Sequence, residues 1–506
     1  MKKVITYQWL TLTFIGLLCL YLFTRLFHLT TFLPIFTDEA IYIHWSQVAL
    51  NDANWRFISL TDGKQPMYVW IAIVTLKIFH DPLMAGRLVS VLAGFFSMIG
   101  IFFLGREIFK NTKIGLFSSL LYILYPFALV YDKLAMYDSL VALFTIWIFY
   151  FTVLLIRHVR LDLGMILGMV AGLGMLTKTN VDFGLIMLPF SLALFTFKKH
   201  FDKNRLFRWA IYALVAAVIA NVMYLILRLS PFYYIIGQKN LTFIYSFHDW
   251  IRQPFAFFGG NIKSMIAWFV GYMTIPFVLL AIASFFIEKK FLKEKLLLVA
   301  WFVFPFVSLA FFGKVIYPRF ILNMTMSIII LGAYSLFVLC NKVKNVGLQI
   351  LIFLVFISLF LINDFYILTN FARASIPFGD QDQLLYGWSS GVGVNETVSY
   401  LQDQAKNGKI YVGTEGTFGL MPYALQIYLG KNPNVTSQGF WPIDSTPPQE
   451  LLDASKKEPT YVVFYQSCPT CQAIGKAPAT WPVTEVFSIK KLSENTYYTL
   501  YKVNPQ

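Results

Sequence analysis

Residues 66–82 read PMYVWIAIVTLKIFHDP, and whether this stretch crosses a membrane decides the topology of the whole chain. It is apolar for about 14 residues, carries Lys77 near its end, and stops at His80-Asp81-Pro82. A helix needs about 20 residues to cross the hydrocarbon of a bilayer, so this one is short. Working outward, the longer apolar runs are 9–21, 88–104, 114–131, 140–156, 165–176, 183–197, 210–227, 265–287, 296–312, 320–340 and 348–362. They predict about eleven spans in a mostly α, polytopic transmembrane helical bundle. Of the 506 residues 58% are hydrophobic and 13% charged, an apolar excess that excludes a water-soluble globule.

Charge parity decides how residues 66–79 are counted. If they do not cross, Lys2 and Lys3 share one side with the Arg106/Lys110/Lys113 loop, the Arg157/Arg160 loop, loops 198–208 and 289–295, and Lys342/Lys344. The positive-inside rule makes that side cytoplasmic; if the segment did cross, every later basic loop would lie outside. The reading is therefore a re-entrant or interfacial segment and an odd number of spans. The N-terminus is then cytoplasmic, and loops 33–65 and 230–264 lie outside with everything after about residue 370. The net charge of +15 marks cytoplasmic loops facing anionic lipid, and no nucleic acid is needed to explain it. The basic, apolar N-terminus lacks a small-residue cleavage site, so it reads as an uncleaved first span.

Two domains follow from the change of pattern after Asn363: a transmembrane part over residues 1–370 with outer loops, and a soluble extracytoplasmic α/β domain over 371–506. In the latter, Asn395 is expected to cap a helix reaching about Lys406, and residues 410–413 read as a strand. A helix is expected over 417–429, with further strands at Val435, 461–465 and 499–503. Cys468 and Cys471, spaced C-x-x-C on an oxidising face, suit a small local disulfide or idle thiols better than redox catalysis.

Chemistry-bearing residues gather on the outer side. Thr37-Asp38-Glu39-Ala40 opens a helix whose Ile41, Trp45, Val48 and Ala49 share a face, which suggests a helix lying in the interface. Two first-turn carboxylates complement the helix dipole and so act as caps. A pair beside an apolar surface also suffers desolvation and repulsion, which makes one of them a usable base. Lys64 returns the chain to headgroup depth, where a lone lysine commonly snorkels. Arg87, the turns around Asp132-Lys133 and Tyr137-Asp138, and Lys314 with Tyr317-Pro318-Arg319 complete a set of acids and bases at one depth. Ionisable residues there are functional candidates by default, although Asp132 and Lys133 form a plausible loop pair.

These pieces, in this order, resemble the polyprenyl-phosphate-sugar-dependent glycosyltransferases of the membrane-embedded C superfamily. The likeness is to family 39 protein O-mannosyltransferases and bacterial aminoarabinose transferases. It rests on Asp38-Glu39-Ala40-Ile41-Tyr42, Lys64-Gln65-Pro66-Met67-Tyr68, Arg87-Leu88-Val89-Ser90 with Ala93-Gly94, Leu134 to Asp138, Gly172 to Lys178, and Tyr317-Pro318-Arg319-Phe320. It covers roughly residues 1–370. The chain departs from the pattern at Gln65, where a second proline is usual, and at Gly63, where the aminoarabinose enzymes carry an acid.

The resemblance implies transfer of a sugar from a polyprenyl-phosphate donor to an acceptor hydroxyl on a protein, lipid or glycan. Asp38 would be the base, with Glu39 and Asp138 orienting the acceptor or assisting a divalent metal ion. Lys64, Arg87, Arg319 and Tyr317 would hold the donor phosphate. No cofactor is fixed by the sequence itself. A transferase of this kind wants a carboxylate near an oxocarbenium-like sugar and cations on the departing phosphate. One base with a phosphate leaving group suits inversion. The rival is a transporter or flippase for a lipid-linked sugar, against which stands the lack of clear internal halves. A non-catalytic scaffold leaves the 38–66 arrangement unexplained.

Overall fold

The computed structural model describes residues 2–195, 202–466, 473–491 and 495–506, with side chains from Gln8 onward. Cys468 and Cys471 lie outside these residues. Contacts divide the chain into two units, each discontinuous in sequence. The first comprises Met1–Leu29, Arg56–Ile71 and Arg87–Pro377, and the second Thr30–Trp55, Ala72–Gly86 and Phe378–Gln506.

The first unit is helical. Among the described residues seven helices are long and apolar enough to cross a bilayer: Gln8–Leu26, Pro82–Phe109, Asp138–His158, Lys203–Leu229, Leu292–Phe312, Pro318–Lys342 and Val346–Thr369. Phe258–Met273 and Ile275–Ile287, bent by 94° at Thr274, make an eighth if they form one broken span. Thr112–Ile123, Leu161–Met175 and Thr179–Leu194 supply helices for the remaining predicted runs but are shorter. This is a multi-pass membrane protein. The short segment forms the helix Met67–Ile78 of 12 residues, which at 1.5 Å per residue is about 18 Å long, against a hydrocarbon core of about 30 Å.

Backbone approach explains the glycines of Leu161–Met175. A Cβ on Gly164 or Gly168 would lie 2.8 or 2.7 Å from the carbonyl oxygen of Tyr212 or Ala216, so these glycines seat this helix against Lys203–Tyr224. The basic connections come together at one end of the bundle. Arg157 pairs with Glu107 at 2.9 Å and with Glu294 at 3.4 Å, and Arg205 donates to the carbonyls of Ile156 and Arg157. Asp132 does not pair with Lys133. It is buried, accepts from Tyr122 and Ser139, and pairs with Arg25 at 3.3 Å, while Lys133 donates to the Phe27 carbonyl at 2.6 Å.

The second unit holds a five-stranded sheet of order β2-β1-β3-β5-β4, with β1 Ile410–Glu415, β2 Val435–Phe440, β3 Thr460–Phe464, β4 Val483–Lys490 and β5 Tyr497–Val503. β1 runs parallel to β2 and β3; β5 is antiparallel to β3 and β4. Tyr411, Phe440, Leu451, Val462, Phe464, Trp481 and Val503 form one apolar core of the sheet. The predicted strands at 410, 435, 461 and 499 are present, whereas β4 and the helix Gln449–Ser455 were not foreseen. The helix expected from Asn395 is Val394–Gln404, with Gly393 at its N-cap in the left-handed region (φ 96°), so Asn395 lies inside the first turn.

The helix Thr37–Asn51 also belongs to this unit, and it differs from an interfacial helix with one apolar face. Ala40, Ile41, Tyr42, Ile43 and Trp45 are all buried, so protein surrounds it on several sides. Its partner is Leu420–Leu429: His44 stacks on Tyr423 with ring centres 4.1 Å apart, and Gln47 Nε2 donates to the Ile427 carbonyl at 2.9 Å. Burial pushes the His44 imidazole down to about 4, so the stacked ring is uncharged near neutrality.

Candidate active site

In the first unit the site is built on the loop after the 3-10 turn Ile58–Asp62. Gly63 closes that turn in the left-handed region (φ 67°). A Cβ there would lie 2.6 Å from Lys239 and 2.8 Å from the Ile235 carbonyl, so this loop is pressed against the helix Ile235–Phe243. Position 63 therefore has no room for an acidic side chain. The nearest carboxylate is Asp62, which meets Lys239 at 2.6 Å and Lys64 at 3.9 Å.

Hydrogen bonds join this loop to its neighbours. Gln65 donates to Thr179 at 2.7 Å, and Asn240, next to Lys239, reaches the same hydroxyl at 3.4 Å. The Tyr137 hydroxyl donates to the Gln65 carbonyl at 2.9 Å, and the Met67 amide to the Leu176 carbonyl at 3.0 Å. Gln65, where a second proline is usual, thus supplies a side-chain bond that proline lacks.

Thr179 leads directly to Lys178, and Lys178 to Asp138 at 3.2 Å. On its other oxygen Asp138 faces the Arg319 guanidinium at 4.0 Å. Rings fix both cations: the Lys178 ammonium lies 4.6 Å from the centre of Phe320, and the Arg319 guanidinium 4.5 Å from that of Tyr317. The structure therefore brings Lys64, Asp138, Tyr317 and Arg319 into one neighbourhood and adds Lys178 and Lys239. Two cations meet each of these carboxylates, Lys239 and Lys64 at Asp62 and Lys178 and Arg319 at Asp138. Cations gathered in this way are what a phosphate ester needs.

Arg87 is fully buried, and its Nη1 donates to the Leu29 carbonyl at 2.8 Å, at the end of the first span. Gly94, seven residues on, admits Asp132: a Cβ there would sit 2.4 Å from the carboxylate. Both residues of that motif thus have packing work to do.

In the second unit the two acids at the start of the helix Thr37–Asn51 are not alike. The Glu39 carboxylate is fully buried and accepts the Phe36 amide at 2.9 Å, reaching back over the first turn as a cap. Asp38 is half-buried beside it. Thr37 anchors the helix start through its amide and its hydroxyl, both donating to the Ser389 carbonyl at 3.0 and 2.9 Å. Among the described residues no group of three or more His, Cys, Asp or Glu is placed to hold a metal ion.

Lys178 and Lys239 were not among the residues expected to hold the donor. Lys178 closes the Gly172 to Lys178 stretch and so carried a signal; Lys239, in the helix Ile235–Phe243 with no motif, carried none.

The family described as Dolichyl-phosphate-mannose-protein mannosyltransferase matches residues 63–242, a stretch that includes Gly63, Lys64, Asp138, Lys178 and Lys239. An undecaprenyl phosphate-α-4-amino-4-deoxy-L-arabinose arabinosyl transferase of Pseudomonas fluorescens (strain Pf0-1) is 28% identical over 298 residues, which are 54% of this chain and 49% of that protein. The match therefore spans about half the length of that curated relative. ArnT from Cupriavidus metallidurans bound to undecaprenyl phosphate superposes with a TM-score of 0.60 at 13% identity, over 99% of each chain. The archaeal oligosaccharyltransferase AglB from Archaeoglobus fulgidus gives 0.54 at 12% identity, over 90% of this chain and 69% of that one. The chain has the fold of the C-superfamily glycosyltransferases. The resemblance to the protein O-mannosyltransferase and aminoarabinose transferase type, read from the sequence, is borne out.

Proposed function

We propose that this chain transfers a sugar from a polyprenyl-phosphate donor to an acceptor hydroxyl at the outer face of the membrane, with inversion. The observation that supports this most is the gathering of Lys64, Lys178, Lys239 and Arg319 about Asp62 and Asp138, on the fold of a protein solved with undecaprenyl phosphate. Lys64, Lys178 and Arg319, with Tyr317 beside Arg319, hold the departing phosphate. Arg87 contributes charge from behind, with one nitrogen already given to Leu29. Asp138 holds Lys178 and Arg319 in place rather than touching the acceptor. A dication at Asp138 would face both of these cations, so the residues present there do not fit a metal.

Asp38 is the base. It takes the proton of the acceptor hydroxyl as that oxygen attacks the anomeric carbon, and the carbon–phosphate oxygen bond breaks toward the cations. Phosphate leaves without needing a proton, so one carboxylate suffices. Glu39 supports Asp38 through the helix start.

The orientation proposed is a cytoplasmic N-terminus, with the transmembrane part over 1–370 and an extracytoplasmic domain over 371–506. Two features support it: the gathering of basic loops around Arg157, and the membership of Ala72–Gly86, which holds the second half of the short helix, the turn after it and the start of the next span, in the unit of the C-terminal sheet.

Purified protein given a radiolabelled polyprenyl-phosphate sugar is expected to label an acceptor, and Asp38→Asn to lower the rate by about 10²–10⁴-fold, the usual worth of a general base. Full activity in Asp38→Asn removes Asp38 as base. Movement of the donor across vesicles without transfer establishes the flippase instead.

A further inference from the structure

The C-terminal domain contains a buried cation that neither the proposed site nor the apolar core uses. Lys491, after β4, is 2% exposed. Its ammonium donates to the carbonyls of Ser390 at 2.8 Å, Trp388 at 3.2 Å and Gly387 at 3.4 Å. Burial pulls it down to about 7, although the nearby Glu415 carboxylate pushes it up. Burying an amine to that degree costs stability unless hydrogen bonds offset it, and here the partners are three carbonyls of one turn.

What it holds is the turn to which the start of the Asp38 helix is tied. Ser389, between two of the Lys491 acceptors, takes both bonds from Thr37. Ser390 bridges Phe36 in antiparallel fashion, and the Gly391 amide donates to the Ile35 carbonyl at 2.8 Å. The backbone on both sides of the turn is thus committed, one side to Lys491 and the other to residues 35–37.

Sheet topology says why a cation sits there. The chain leaves β1 by the helix Leu420–Leu429 toward β2 and returns by Gln449–Ser455 to β3, so the direction of winding reverses between β1 and β3. In open α/β sheets the crevice at the carboxyl ends of such a pair is the usual ligand site. Here Glu415 ends β1, is fully buried, and accepts the amides of Tyr465 and Gln466 past the end of β3 at 2.8 and 3.0 Å. The Lys491 ammonium lies beside Glu415 and 5.8 Å from the Tyr465 ring centre, with Tyr498 of β5 behind Tyr465. Gly419, in the left-handed region (φ 115°), would place a Cβ 3.7 Å from the Thr37 methyl. The crevice is therefore filled from within the chain, by a lysine and by the start of the first-loop helix.

We propose that Lys491 is a positioning residue for the transfer reaction: through the carbonyls of 387–390 it sets the start of the helix that presents Asp38. This rests on the functional reading above for its consequence, but the positioning itself is measured without any substrate.

The experiment is hydrogen exchange on the full-length protein in detergent, comparing wild type with Lys491→Met and Lys491→Gln. Lys491→Met is expected to lower the protection of amides 37–41 by about tenfold, as for one or two lost hydrogen bonds. Amides of β3 and β5 should stay at wild-type protection. Lys491→Gln, with a donor for one carbonyl, should fall between and serves alone if Lys491→Met does not fold. Binding of undecaprenyl phosphate should be unchanged and, in the transfer assay, kcat should drop at constant donor KM. Unchanged protection at 37–41, or equal loss in helix and strands, overturns the proposal. Absence of transfer by the wild type overturns the functional reading alone, since the exchange result still decides the positioning.

Discussion

The ionisable groups of the cation cluster and three buried ones of the sheet unit are satisfied in different ways. In the membrane unit Asp62 and Asp138 face Lys239, Lys64, Lys178 and Arg319, side chain to side chain, at 2.6 to 4.0 Å. In the sheet unit Glu39, Glu415 and Lys491 take backbone partners instead: the Phe36 amide, the amides of 465 and 466, and three carbonyls. Side-chain pairs can exchange partners when a ligand arrives, and a phosphate competes with a carboxylate for the same cations. Backbone partners cannot be exchanged without moving the chain. The first arrangement suits holding a leaving group; the second suits fixing the place from which a base acts.

The largest effect should come from the exchangeable side. Replacing Lys178 and Arg319 together by glutamine is expected to weaken binding of undecaprenyl phosphate by about 10²-fold or more, since each charge-assisted hydrogen bond is worth roughly 1.5–3 kcal/mol. Retained affinity, read by titration of the purified protein, would break the comparison by making these pairs purely structural.

Next comes the buried lysine. With its folded pKa lowered to about 7 from 10.5, the unfolded chain binds the additional proton between those values, so stability rises with pH across that window. The gain is complete above about 10.5 and is lost as pH falls through about 7. Thermal unfolding followed from pH 6.5 to 10 should show an upward trend that Lys491→Met flattens. An equal slope in the variant would assign the trend to other groups.

The smallest effect belongs to Glu39. As a cap, it should cost about 1 kcal/mol on replacement by alanine, whereas Glu39→Gln, which still offers an acceptor to Phe36, should keep most stability and transfer. An inactive but stable Glu39→Gln would move Glu39 from the backbone-held group into the chemistry.

The spans were legible because crossing hydrocarbon requires long uninterrupted apolar runs, which no tertiary contact alters. The strand β4 was not. Its register shifts between Glu485 and Phe487, and the additional residue of that bulge breaks the two-residue alternation by which a strand is read. Asp138 and Arg319 could be named from their motifs, but not their contact, since they lie on separate helices. Lys491 was hidden altogether. One lysine in a polar stretch looks solvated, and only the fold reveals that its amine is enclosed by carbonyls from residues 387–390.

The tie between Thr37 and Ser389 joins residues 352 positions apart in the chain. At about 5–20 residues per second of synthesis, the first-loop helix waits roughly 20–70 s for the segment that holds it. The later spans are made during that interval, before the tie between Thr37 and Ser389 can form. A ribosome product stopped before Ser389 should enter the membrane without this tie, so translation order itself sets when the first-loop helix takes its place.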